Sequence, residues 1–147
     1  MIFPSINISQ KTLEGVLFME GQINSEVPFK LMISGSRSIK NLKMIFDELE
    51  KIYVAHPNLI LISGGAKGVD SIAEEWGRFR KLPIEQHKPD WSKYGKGAGI
   101  VRNKEMVLAA DYVLIFWDGE SKGTKSVIDF CEKQGKAFLL KKVEPLK

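Results

Sequence analysis

Cysteine is almost absent from this 147-residue chain: Cys131 stands alone, so no internal disulfide can form. Histidine is nearly as scarce, with only His56 and His87, far apart in sequence. That inventory argues against a His/Cys zinc centre, and neither a metal nor a cofactor is expected. Cys131 falls at helical spacing with Val127 and Ile128, which predicts a buried core thiol and not a nucleophile. Long apolar runs are missing too, and none approaches the ~18 residues that a membrane span needs. No charged segment ahead of an apolar stretch marks a leader, the first lysine being Lys11. A cytoplasmic protein without a membrane partner is expected. The net charge is +4 and the pI about 9.1, which favours anionic partners. There is no run of roughly five or six basic residues, so the charge permits nucleic-acid binding without demanding it.

What is present is the profile of one soluble globular domain: 44% hydrophobic and 27% charged residues. Leu31 to Ile33, Leu59 to Ile62, Tyr112 to Trp117 and Ala137 to Leu140 are nearly continuous apolar runs, with a weaker fifth at Ile84 to Lys88. Runs that do not alternate with polar residues read as strands covered on both faces. Between them lie helical stripes: Leu42 to Tyr53, Val69 to Phe79, about Ala98 to Ala110, and about Thr124 to Gln134, stopped by Gly135. This alternation predicts a Rossmann-like three-layer α/β/α sandwich, its mainly parallel five-stranded sheet ordered 3-2-1-4-5. Residues 1–29 fall outside the alternation and are read as an N-terminal β extension, with Gly15 to Gly21 as an added strand or half of a hairpin, and residues 30–147 as the domain.

Three glycine-bearing turns each follow a strand and lead toward a helix: Ser34 to Ser38, Ser63 to Asp70, and Asp118 to Thr124. In a parallel sheet such turns emerge on one edge, so these loops are expected to converge. Exposed backbone N–H groups and helix N-termini there make an anion site, and ligands of open α/β sheets bind where the strand order reverses. A single glycine turn is more often a tight connection, and Ser38 or Thr124 alone reads as an N-cap. Three such loops carrying Arg37, Lys67 and Lys122 favour phosphate. The candidate binding residues are Gly35, Ser36, Arg37, Gly64, Gly65, Ala66, Gly68, Gly119, Ser121, Lys122, Gly123 and Thr124, with Asp70, Asp90 and Asp118 for ribose or loop orientation. None of the loops has the Walker A or G-x-G-x-x-G spacing, which disfavours ATP hydrolysis and nicotinamide chemistry.

Lys88 to Asn103 reads as a long glycine-rich loop on the same edge. Trp91 and Tyr94 there can stack on a base or cover the core. Arg102 can fork onto a phosphate, beside Asn103.

Gly64-Gly65-Ala66-Lys67-Gly68-Val69-Asp70, Arg102-Asn103 and Asp118-Gly119 followed by Lys122-Gly123-Thr124 together resemble the SLOG superfamily over about residues 30–142. The resemblance is nearest to its small bacterial and phage branch named for YspA and YpsA. It implies a Rossmann-like fold binding nucleotide-derived ligands across these loops, and a homodimer or higher homo-oligomer. The superfamily includes the LOG phosphoribohydrolases, whose G-G-x-G-T-x-x-E motif supplies a glutamate for N-glycosidic cleavage, with an arginine in an R-K-x-x-M-like segment. Arg102 to Met106 resembles that second element, which makes Arg102 the one catalytic candidate. The first element departs: it has one extra residue, and Val127 stands at the glutamate position. Valine can neither activate water nor stabilise an oxocarbenium-like transition state. The expected function is therefore binding or sensing of a nucleotide or phosphorylated nucleoside derivative. The alternatives are nucleotide N-glycosidase activity and single-stranded DNA binding like that of DprA.

Overall fold

The computed structural model describes residues 27–144. The strand expected at Gly15 to Gly21, and most of the extension assigned to residues 1–29, lie outside the described residues. In chain order the elements are β1 (Phe29–Gly35), α1 (Leu42–Ala55), β2 (Leu59–Ser63), α2 (Val69–Phe79), β3 (Ile84–Gln86), the single turn α3 (Trp91–Tyr94), a 3₁₀ turn at Gly95–Gly97, α4 (Ala98–Ala109), β4 (Tyr112–Trp117), α5 (Lys122–Gln134) and β5 (Phe138–Lys142). All pairings are parallel and the strand order is β3-β2-β1-β4-β5, as the alternation predicts.

Continuous apolar strands are needed because both sheet faces are covered. Leu31 and Ile33 of β1 turn toward a core shared with Ile45, Leu49 and Ile52 of α1 and Val69, Ala73 and Trp76 of α2. Met32 turns the other way, into a core with Met106 and Val107 of α4 and Val127, Ile128 and Cys131 of α5. Cys131 is fully buried, and desolvation pushes its thiol up to about 12, so it packs as a small apolar residue. Glu50 ties the first two helices together by accepting from Trp76 Nε1 at 2.8 Å and Arg80 Nε at 2.8 Å.

Two local expectations are corrected. Ser38 does not cap α1; Asn41 does, accepting from Met44 N, and Ser38 is left free to donate elsewhere. The stretch read as a loop from Lys88 is shorter than expected: the helix expected from about Ala98 starts there, but α3 and the 3₁₀ turn occupy Trp91 to Gly97 ahead of it. Its glycines mark the break between two helical pieces: Gly95 has a positive φ and lets the chain turn out of α3 before α4 starts.

Phe116 lies in the interior strand β4 and is fully buried. Phe116→Ala is expected to lower the unfolding free energy by about 3–5 kcal/mol, read from urea denaturation.

Candidate functional site

The chain passes from one side of the sheet to the other between β1 and β4. On the α1/α2 side the connections lead from β1 through β2 to β3; on the other side they lead from β4 to β5. The loops after β1 and β4 therefore part from each other, and a crevice opens above the strand ends. Pairing of Gly35 with Phe116, and a 3.0 Å bond from Ser36 N to Phe116 O, hold the two loop bases side by side. The loop after β2 lies on top of the first. Gly68 takes φ +84°, and a Cβ there would stand 2.7 Å from Arg37 O, so only glycine allows this close seating.

The crevice holds two joined cavities. The inner one, 130 Å³, is lined by Ile33, Ser34, Gly35, Arg37, Ala66, Asp70, Arg102, Asn103, Met106, Ser121, Gly123 and Thr124. The outer one, 390 Å³, shares Arg37, Ala66, Arg102, Asn103 and Gly123 with it and adds Gly64, Gly65, Pro89, Trp91, Lys96, Gly99 and Ile100. All three glycine loops thus reach one place, as their position after parallel strands predicts. A broader depression of 560 Å³ runs along α1 between Asn41 and Lys51 and shares no lining residue with either cavity.

Arg102 is the strut of the crevice. Its Nη1 donates to Gly64 O at 2.9 Å and His87 O at 3.3 Å, and its Nε to Asn103 Oδ1 at 2.8 Å. One guanidinium so links α4 to the ends of β2 and β3. It packs directly on Gly64, where a Cβ would stand 2.8 Å from Nη1. Burial lowers its pKa from the ordinary arginine value; Asp70 opposes that, and the nearby Arg37 charge adds to it. Arg37 is exposed at the crevice mouth. Two cations thus face one cavity.

Asp70 is the only carboxylate among the described residues lining either cavity. It is 7% exposed and accepts from Ala66 N at 3.1 Å, which folds the β2 loop back on the start of α2. Burial pushes its carboxyl up to about 6, against the lowering effect of the Ala66 N–H and of Arg102. Asp118 behaves in the opposite way. The N–H groups of Ser121 and Glu120, both 2.8 Å from Oδ1, hold its carboxyl down at about 2, and Ser38 Oγ donates to Oδ2 at 2.8 Å. Its carboxylate closes its own turn and latches the β1 loop. Ser36 is buried and accepts from Asp118 N at 3.1 Å, completing that latch.

Of the remaining candidates, Gly68, Gly119, Lys122 and Asp90 do not line either cavity. Asp90 caps α3, accepting from Lys93 N and Ser92 Oγ. Ser121, and not Thr124, caps α5; its hydroxyl oxygen accepts from Thr124 N. Val127 is buried in the core shared with Met32 and α4, and Asp129 sits on the outer face of α5 paired with Lys125.

Sequence reasoning missed a layer beneath the β2 loop. Ser63 Oγ donates to Glu74 at 2.6 Å, Gln86 Nε2 donates to both Glu74 oxygens at 3.2 Å, and Gly65 N donates to Ser63 Oγ at 3.2 Å. The four-residue spacing of Asp70 and Glu74 was the available signal, since it sets both carboxylates on one helix face. Among the described residues no group of three or more His, Cys, Asp or Glu is placed to hold a metal, and no helix is long and apolar enough to cross a membrane.

Fold and crevice together define a Rossmann-like α/β domain whose glycine loops gather at the strand-order reversal. The family model described as YAcAr, the YspA, cpYpsA-related SLOG family, matches residues 29–94. The gene 61 protein of Mycobacterium phage D29 is 37% identical over 114 residues, covering 72% of this chain and 90% of that protein. The chain belongs to the YspA, cpYpsA-related SLOG family. DNA processing protein A from Helicobacter pylori, whose structure was described for its single-stranded DNA binding mode, superposes with a TM-score of 0.63 at 20% identity. The match covers 78% of this chain and 66% of that one, and it establishes a shared fold.

The raised Asp70 pKa fixes a pH effect. Its folded-state value, about 6, lies above the ~3.9 of an unfolded aspartate. The folded chain therefore holds this proton more tightly, and stability from this group is lost as pH rises from about 4 to about 6. In urea denaturation across that range, Asp70→Asn is expected to gain on the wild type with rising pH and to level off above 6. A constant difference would show that the Asp70 carboxyl does not titrate there.

Proposed function

We propose that the domain binds a nucleotide or phosphorylated nucleoside derivative, with a phosphate in the inner cavity. One observation carries the reading. Arg37 and Arg102 face the same small cavity, and its one carboxylate, Asp70, is already held by a backbone N–H. Like charges gathered around a cavity raise each other's energy, and a bound anion relieves that cost. The start of α5 adds the positive end of a helix dipole. Gly123, in its first turn, has no atom within 4 Å of where a Cβ would stand, which leaves backbone open to the cavity.

A nucleotide N-glycosidase is the less favoured reading. Val127 is buried where the LOG glutamate belongs, and Asp129 is engaged on the outer face of α5. Single-stranded DNA binding, like that of the Helicobacter protein, has a specific point in its favour. Trp91 and Tyr94 are exposed and interleaved in sequence with Lys88, Lys93 and Lys96, Trp91 and Lys96 line the outer cavity, and Lys93 Nζ lies 5.1 Å from the Tyr94 ring centre. The family resemblance further supports a homodimer or higher homo-oligomer, and light scattering at two protein concentrations reads its mass.

Two variants test the phosphate reading by isothermal titration with inorganic phosphate. Arg37→Ala removes an exposed side chain at little cost to the fold and is expected to weaken binding about 10- to 100-fold. Gly123→Leu fills the cavity from a helical position and is expected to stay folded while losing binding. Unchanged affinity in both would remove the site.

A further inference from the structure

We propose that the outer cavity beside Trp91 is a nucleobase subsite, so that the ligand enters phosphate first and stacks its base on the Trp91 indole. This rests on the phosphate reading of the inner cavity. The two cavities differ in size and lining in the way the two ends of a nucleotide differ. The inner cavity, 130 Å³, has a third of the volume of the outer one and is lined by both arginines and the start of α5, a lining that suits a phosphate group. The outer one, 390 Å³, falls within the roughly 300–1,000 Å³ range of small-molecule pockets. Its wall carries Trp91, Pro89 and Ile100, with Lys96 as the added cation and no carboxylate.

Trp91 stands apart from the other tryptophans. Trp76 is fully buried and Trp117 is partly buried beside the core, with its Nε1 donating to Ser121 O. Trp91 is 60% exposed and Ile100 50% exposed, and both line the same cleft. An indole left in water on a cleft wall is a ready stacking face, and stacking on a π-face tolerates any base. Gly99, on the same wall in the first turn of α4, has no atom within 4 Å of its would-be Cβ, so the space over the wall stays open.

The test uses adenosine 5′-monophosphate, ribose 5-phosphate and inorganic phosphate as probes, with tryptophan emission and titration calorimetry as readouts. Adenosine monophosphate is expected to bind about 5- to 150-fold more tightly than ribose 5-phosphate, the range of one base stacked on an aromatic ring, and to quench the emission. Trp91→Ala should abolish the quench and bring adenosine monophosphate down to the affinity of ribose 5-phosphate, leaving inorganic phosphate unchanged. Gly99→Leu, which adds a side chain on the outer-cavity wall where a Cβ meets no neighbour, should give the same selective loss. Equal wild-type affinities for adenosine monophosphate and ribose 5-phosphate would overturn the base subsite while the phosphate reading stands. Absence of binding by all three, inorganic phosphate included, would overturn the phosphate reading and the subsite with it. A response to oligothymidylate alone would overturn both in favour of a single-stranded DNA groove.

Discussion

β1 is held between β2 and β4 in parallel register, and this pairing constrains everything at the sheet edge. Leu31 through Gly35 pair with Tyr112 through Phe116 on one side, and Phe29 through Met32 pair with Leu59 through Ile62 on the other. Both faces of β1 are buried, so a slip of one residue would send Met32 into the core under α1 and α2, and Leu31 and Ile33 into the core under α4 and α5. With the register fixed, the loops after β1 and β4 must start side by side and leave toward opposite layers. The crevice is a consequence of that divergence, and the residues that line it brace its walls.

Lining residues then decide what the crevice can hold. Arg102 reaches across from α4 to the carbonyls of Gly64 and His87, which fixes the β2 loop against the fourth helix. Asp118 closes the β4 turn on its own backbone and receives Ser38 from the β1 loop. These two polar braces act on different loops and both use charge-assisted hydrogen bonds, the stronger kind. They leave Arg37, Trp91, Gly99 and Gly123 unburdened at the opening. Rigid loop bases with free groups at the mouth are the arrangement that a preorganised binding site requires.

The layers and strand order were legible because a doubly covered strand must be apolar along its whole length, and Leu59 to Ile62 and Tyr112 to Trp117 are. Convergence of the three loops followed from parallel topology alone. Which side chains face the ligand was less legible. Asp90, Asp118 and Ser36 are of the right chemical type, but local backbone donors and acceptors claim them, and those partners are set by turn geometry that a sequence does not display. Trp91 to Gly97 reads as a loop because Gly95, Gly97 and the following Gly99 crowd the stretch. The glycines interrupt the helical hydrogen bonding only around Gly95, and α4 resumes at Ala98. The Ser63–Glu74–Gln86 layer joins three elements distant in sequence and is visible only once β2 and β3 are paired.

Amide chemical shifts followed during titration of ¹⁵N-labelled protein with inorganic phosphate test the convergence of the loops on one anion most directly. Saturable shifts confined to Gly35 to Arg37, Gly64 to Gly68 and Ser121 to Thr124, all fitting one dissociation constant, are the expected result. Shifts spread over the exposed lysines, or centred along α1 from Asn41 to Lys51 with the three loops silent, would contradict the account.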